Sequence, residues 1–438
     1  MFLEVLGCVA AGGLLAYTAI EKSGTATDAA KIQRVAKNCG LYINEAGKQR
    51  TIQPLRRTHY PWGVEYVFRI PLGLSFDDFV RKKQHLEDGL NHKRGWLDLT
   101  IDDLRTLRLG PDILQQLRDL MTVAKHRKEI LMDYDGTLRI RIYREPLSTL
   151  VLFDDATLAS CSGWKVLIGD SREGRIYHDF DQIPHIVVAG TTRYGKSVFL
   201  KGVVTTLTAR QPAAAQFTLL DLKGGLAFNR FRDLRQVVTV ASNVSESVTA
   251  LQRIELEMKE RQAQLLAKGF EDITEAGITE RHFVVIDEGA ELASAGETDP
   301  QLKKLKIDCE RIVAEIARIG GGLGYRLIFA TQYPTGDTLP RQVKQNCDAR
   351  LCFRLPTETA SRVVLDEAGA EQLPLIKGRG IYRTDRKQIV QTPYIENGFI
   401  DKTIRPHVAI RPRKEAPHAP AAEEAPAGRS YTLVIEEA

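Results

Sequence analysis

The run Gly190, Thr191, Thr192, Arg193, Tyr194, Gly195, Lys196, Ser197 fits the pattern GxxxxGK[ST] and stands directly behind the apolar stretch His185-Ile-Val-Val-Ala189. Glycines let a backbone curl until successive N–H groups face phosphate oxygens, while Lys196 adds a cation and Ser197 offers a hydroxyl to Mg²⁺. Gly190 to Val198 is therefore the candidate binding segment for a nucleoside triphosphate. A second apolar run, Phe283-Val-Val-Ile286, ends in Asp287-Glu288, a Walker B pattern. Set beside the loop strand, it brings Asp287 to the metal side and Glu288 to where a general base polarises the attacking water. A third run, Arg326-Leu-Ile-Phe-Ala330, leads through Thr331 to Gln332, whose amide is placed to bond a γ-phosphate or that water.

Those side chains act together only if their strands lie side by side. Phe217–Asp221 and Arg350–Arg354 add two more expected strands, and helical patterns separate all five, among them the stretch from Ser197 and the long charged segment Ser245–Lys268. Such alternation predicts an α/β core with a mostly parallel sheet and its ligand at the carboxyl ends of the strands. The charged residues of 245–268 read as a solvated face, and so do Lys303, Lys304 and Lys306, unless a ring places them along a basic channel.

At 438 residues the chain has room for two domains, and 43% hydrophobic content is ordinary for a globular protein. A net charge of +5 permits nucleic-acid or membrane contact without demanding it. The six cysteines show no CxxC spacing and the nine histidines no HExxH set, which argues against a metal cluster, a disulfide framework or histidine-based metal catalysis.

Residues 1–20 are apolar except for Glu4. As a helix they would span about 30 Å, enough for a hydrocarbon core. With Lys22, Lys31, Arg34 and Lys37 following, 1–22 is read as a single-pass membrane anchor with the body in the cytoplasm, against the alternative of an amphiphilic or core helix. Residues 40–155 predict a small α/β domain: Trp62–Ile70 and Thr137–Tyr143 alternate as strands, Phe76–Leu90 reads as a helix, and Asp135-Gly136 marks a hairpin turn. Residues 160–400 hold the nucleotide motifs. The stretch 405–438, rich in Pro and Ala, is expected to be flexible, with strand propensity in Tyr431–Ile435.

Leu167-Ile-Gly-Asp170 through Ser197, with Asp179-Phe-Asp-Gln-Ile-Pro-His185 leading into the loop, resembles the FtsK/SpoIIIE family of DNA translocases, in which a glycine-turn hairpin and a Pro-His pair precede the same strand. Asp221-Leu-Lys223-Gly-Gly resembles that family's Asp-Pro-Lys-Gly element. Asp287-Glu-Gly-Ala-Glu-Leu292 resembles its acidic motif, and Ala330-Thr-Gln-Tyr-Pro334 its Ala-Thr-Gln-Arg-Pro motif. Ser361-Arg362, Leu365-Asp366 and Gly369-Ala-Glu-Gln-Leu373 look like its closing signature. The resemblance implies a RecA-like motor domain over about 164–395, working as a homo-hexameric ring with ATP between subunits. It also implies an arginine supplied by the neighbouring subunit, for which Arg350 and Arg362 are the candidates.

The sequence departs from the family where Arg193-Tyr194 replaces the usual Gly-Ser, in having one short amino-terminal segment, and in leaving no room after Ile395 for a winged-helix domain. This layout is similar to the DNA-transfer ATPases of conjugative plasmids and integrative elements in Gram-positive bacteria. Those implied functions are a coupling protein that moves DNA into a secretion channel, with relaxase and channel proteins as partners. Three alternatives stand beside it: a partition translocase on double-stranded DNA, a protein-secretion ATPase, and a membrane platform that uses ATP only to switch assembly.

Overall fold

The computed structural model describes residues 27–45, 47–92, 115–116 and 127–409. The expected anchor over 1–22 and the Tyr431–Ile435 segment lie outside these residues. Among the described ones no helix is long and apolar enough to cross a membrane.

The amino-terminal part builds an antiparallel sheet backed by helices. Helix α1 (Asp28–Asn38) opens at Thr27, whose hydroxyl accepts the Ala30 N–H, and carries Asp28 in its first turn and Lys37 in its last. A short hairpin of β1 (Ile43–Glu45) and β2 (Lys48–Arg50) leads to β3 (Gln53–Tyr60) and β4 (Gly63–Arg69). After α2 (Phe76–Arg81) and α3 (Lys83–Leu90), β5 (Glu129–Tyr134) and β6 (Leu138–Tyr143) complete the order β3-β4-β6-β5. Period-two alternation places Val64, Tyr66 and Phe68 of β4 opposite Ile142, Ile140 and Leu138 of β6, on the face that buries against Ile32, Phe79, Leu86 and Leu90. The single helix expected over Phe76–Leu90 is two, divided at Lys82, whose backbone turns to φ −100°, ψ 10°. The division sets α3 against α1 so closely that a Cβ on Gly89 would lie 2.3 Å from Val35.

The rest of the described chain forms one large sheet. Helix α4 (Asp155–Ser160) and the hairpin β7 (Lys165–Ser171), β8 (Gly174–Asp179) precede the loop strand β9 (Ile186–Ala189). Then come α5 (Lys196–Arg210), β10 (Ala215–Leu220), β11 (Val237–Ala241), α6 (Val244–Lys268), β12 (Arg281–Ile286), α7 (Pro300–Ile319) and β13 (Tyr325–Thr331). They are followed by α8 (Arg341–Asn346), β14 (Ala349–Phe353), α9 (Glu358–Leu365), β15 (Arg379–Arg383), β16 (Lys387–Gln391) and α10 (Asn397–Ile404).

The 10-stranded order is β11-β10-β12-β13-β9-β14-β15-β16-β7-β8. Neighbours from β11 to β14 are parallel; β14 onward is antiparallel. The expected mostly parallel α/β sheet is thus present, extended by β11 at one edge and by an antiparallel wing at the other. Its central strands are buried on both faces, as parallel strands covered by helices must be. Along β12, Val284 and Ile286 enter the core under α6 and α7, while Phe283 and Val285 enter the core under α5 and α10. Strand order reverses at β9, which has β13 on one side and β14 on the other, so a crevice opens at its carboxyl end.

Candidate nucleotide site

The loop after β9 is stitched to both neighbouring strands. Gly190 N–H donates to Thr331 O at 3.2 Å, while the Thr191 amide and hydroxyl donate to Arg354 O at 3.2 and 3.0 Å. Gly195 caps α5 at φ 119°, and a Cβ there would come within 3.1 Å of the Phe353 ring and 3.2 Å of Gly378. Arg193, at the position where a glycine was the expected type, has φ 74°. An L-residue in that left-handed region carries a steric cost of about 1–2 kcal/mol. The loop therefore holds its shape through neighbouring contacts, not through an intrinsic preference of Arg193.

The second and third motifs meet the loop directly. Lys196 Nζ lies 3.2 Å from Asp287 Oδ1 and 3.5 Å from Glu288 Oε2, and donates to Asp287 O. Ser197 Oγ donates to Asp287 Oδ1 at 3.4 Å. Glu288 Oε1 accepts the Thr331 hydroxyl and the Gln332 backbone N–H, both at 2.9 Å, and Gln332 Oε1 accepts the Thr192 hydroxyl at 2.8 Å. Lys196, Asp287, Glu288 and Gln332 are all buried, so these charge-assisted contacts are little screened by water. Lys196, Ser197, Gln332 and the loop residues Thr191–Arg193 and Val198 line one crevice, and Asp287 and Glu288 contact Lys196, Ser197 and Gln332 on it.

That crevice is a cavity of about 920 Å³. Beyond the loop its lining mixes polar residues, among them Lys377, Gln391 and Glu396, with an apolar patch that no motif marks: Leu150, Leu152, Leu375, Ile376 and Tyr394. Leu150 and Leu152 belong to the strap joining the small sheet to the large one. The strap is tied down by the Arg379 guanidinium, which donates to Leu147 O and Ser148 O at 3.1 and 2.7 Å. Tyr394 N–H donates to Val151 O at 2.7 Å and Phe153 N–H to Tyr394 O at 2.9 Å. Sequence reading missed this wall because it forms by a long-range bridge, Leu152 with Tyr394.

The two arginine candidates have different surroundings. Arg350, on β14, donates to Val364 O and Lys344 O and pairs with Asp366, so its guanidinium is committed within the chain. Lys344 and Arg383 reach the same carboxylate at 2.6 and 2.8 Å. Burial alone would raise the Asp366 carboxyl, but those donors hold it well below the usual range. Arg362, on α9, is 59% exposed and touches Glu358 one turn away. Neither lies on the cavity of its own chain.

His185, of the Pro-His pair, is buried and accepts the Leu327 N–H at Nδ1, 2.9 Å, which ties the start of β9 to β13. Another residue within reach of the carboxylates is Lys223, whose Nζ is 3.0 Å from Glu288 Oε2. Its signal was present in Asp221-Leu-Lys223, read as a motif without a role.

Residues 161–368, which carry the loop, both carboxylates and the strands from β7 to β14, match the FtsK/SpoIIIE family. This stretch is an FtsK/SpoIIIE domain. The chain is 28% identical over 273 aligned residues to "DNA translocase FtsK" of Leptospira interrogans, an alignment covering 58% of this chain and 28% of the relative. With the protein of the same description from Campylobacter jejuni it is 32% identical over 215 residues, 46% of this chain and 21% of that one. The chain spans about a quarter of the length of the curated relatives it matches.

Among solved structures, the pCW3 conjugation coupling protein TcpA, in monomer form with ATPγS, superposes with a TM-score of 0.57 at 20% identity. That match covers 86% of this chain and 99% of TcpA. ATPases 2 and 3 of EssC from Geobacillus thermodenitrificans give 0.51 at 14% identity over 60% of this chain and 51% of theirs. Both share the fold of the FtsK/SpoIIIE domain.

Proposed function

We propose that this chain is an ATP-driven DNA translocase, acting as the coupling protein that moves DNA to or through a conjugative transfer channel. The observation that carries the reading is the convergence of the phosphate loop with Asp287, Glu288 and Gln332 inside an FtsK/SpoIIIE domain. The conjugative part draws on TcpA, whose fold matches 86% of this chain.

In this reading Lys196 and the loop amides hold the phosphates, and the base rests on the apolar wall between Leu152 and Tyr394. Ser197 and Asp287, whose oxygens already adjoin, fit Mg²⁺ and would hold it; when bound it neutralises charge on the phosphates. Glu288 takes a proton from the attacking water, and Gln332, fixed through Thr192, orients that water against the γ-phosphate. Arg362 is the better placed of the two arginines to act on a neighbour's nucleotide, because Arg350 is consumed by Asp366. The same reading has the chain working as a hexamer at the membrane through 1–22, with its ATPase domain in the cytoplasm and relaxase and channel proteins as partners.

The test is ATP hydrolysis without DNA, with single-stranded DNA and with double-stranded DNA, using Lys196→Ala as the blank. DNA stimulation is expected; turnover indifferent to both forms overturns the DNA-motor reading in favour of polypeptide transport.

A further inference from the structure

Glu288 is the group that must be free to take a proton, yet both its oxygens are engaged. Oε1 is pinned by Thr331 and Gln332; Oε2 faces Lys196 at 3.5 Å and Lys223 at the shorter 3.0 Å. Lys196 belongs to the phosphates once nucleotide binds, so its hold on Glu288 lapses then. Lys223 comes from a different place, the turn at the end of β10, the strand beside β12.

That turn is built to keep Lys223 where it is and still to yield. Asp221, fully buried, accepts the backbone N–H groups of Ala227 at 2.6 Å, Phe228 at 3.1 Å and Lys223 at 3.4 Å, which anchors both ends of the 222–228 loop. Between the anchors, Gly224 and Gly225 sit at φ 83° and 76°, a left-handed pair that other residues resist. The loop tip is Leu226, 82% exposed, and Lys223 itself is 39% exposed. Lys223 therefore bridges solvent and the buried carboxylate.

We propose that Lys223 is a positioning residue that restrains the Glu288 carboxylate, and that DNA phosphates reaching the 222–228 loop draw its ammonium away and free Glu288 for the water. Turnover is thereby held low until a DNA strand engages the loop. The proposal rests on the DNA-translocase reading, and the experiment separates the two.

The full chain is assayed for kcat and KM without DNA and at saturating single- or double-stranded DNA, as wild type, Lys223→Met, Lys223→Gln and Lys223→Arg. Both neutral variants are expected to raise DNA-free kcat about fivefold, the factor given by releasing a restraint of about 1 kcal/mol. KM for ATP stays within twofold, and DNA stimulation shrinks by the same factor because the stimulated rate is already unrestrained. Lys223→Arg keeps the pair and the low basal rate. A DNA-free kcat at or below wild type in the neutral variants overturns the restraint, and so does an unchanged stimulation ratio. If Lys223→Met does not fold, Lys223→Gln decides. Wild type that DNA fails to stimulate overturns the translocase reading, and the basal rates of the neutral variants then still uphold or overturn the restraint.

Discussion

Lys196→Ala is the usual way to disable a phosphate loop, but here it also removes a buried cation from two buried carboxylates. Nζ sits 3.2 Å from Asp287 and 3.5 Å from Glu288, and all three side chains are 3–4% exposed. Removing one partner of such a set costs about 3–5 kcal/mol. Lys223 still reaches Glu288 and the Ser197 hydroxyl still reaches Asp287, which brings the expected loss to about 2–3 kcal/mol. For a domain of this size each kcal/mol moves the melting temperature by about 2–4 °C, so the variant should melt roughly 4–12 °C below wild type without nucleotide. Wild type should gain about 2.7 kcal/mol from Mg-ATP at a hundred times its dissociation constant, whereas the variant should gain nothing. Thermal unfolding with and without Mg-ATP, alongside turnover, reads both effects. A variant that melts with wild type in the absence of nucleotide refutes the charge argument, and one that still hydrolyses ATP refutes the assignment of the loop. In a double-mutant cycle, adding Asp287→Ala should restore part of the stability, since the orphaned charge goes with it.

Glu288→Gln should lower kcat by about 10²–10⁴ with ATP still bound, read by single-turnover hydrolysis and nucleotide retention; normal turnover would remove Glu288 as the base. Arg362→Ala should leave melting unchanged and depress turnover only where subunits assemble, while Arg350→Ala should destabilise by about 1–2 kcal/mol, because the Val364 and Lys344 carbonyls lose their donor while Asp366 keeps Lys344 and Arg383. The reverse pattern in melting and mixed-subunit assays would exchange their roles. Burial pushes the buried imidazoles of His178 and His185 down to about 3 and that of His282 to about 4, from an ordinary 6.5. They are neutral in the fold and take up protons when unfolded, so their contribution is complete above about pH 6.5 and is lost as pH falls toward 3–4, each by up to about 1.4 kcal/mol per pH unit. His185→Gln, whose amide oxygen can still accept the Leu327 N–H, should flatten that slope by one proton between pH 6.5 and 5. An unchanged slope in pH-dependent melting would show that His185 is not held neutral.

The parts legible in sequence were those fixed by local rules. Val187, Val285 and Phe329 lie in short apolar runs whose central strands are buried on both faces, and the loop, Asp287-Glu288 and Gln332 each follow such a run. The antiparallel wing was less legible because Arg379–Arg383 and Lys387–Gln391 end in charged or polar residues and gain their burial from distant partners, β14 and β7. Arg350 shows the limit of reading a residue by type. Its exposed-looking guanidinium is claimed by Asp366, itself turned to φ 62° at the end of α9, and no spacing rule announces that. The apolar wall at Leu152 and Tyr394 likewise exists only because the chain returns after the whole large sheet has been laid down.

The strap that holds Leu150 and Leu152 gives the chain a mechanical character. It is the covalent tether of the small domain and, through Arg379 and Tyr394, a wall of the crevice in which ATP is proposed to bind. In the proposed function, tension applied at the small domain would load the Val151, Phe153 and Tyr394 backbone bonds, which border the crevice on the side where the base would rest. If the proposed translocase works under load, stalling is expected to show as weaker ATP binding before it shows as slower chemistry.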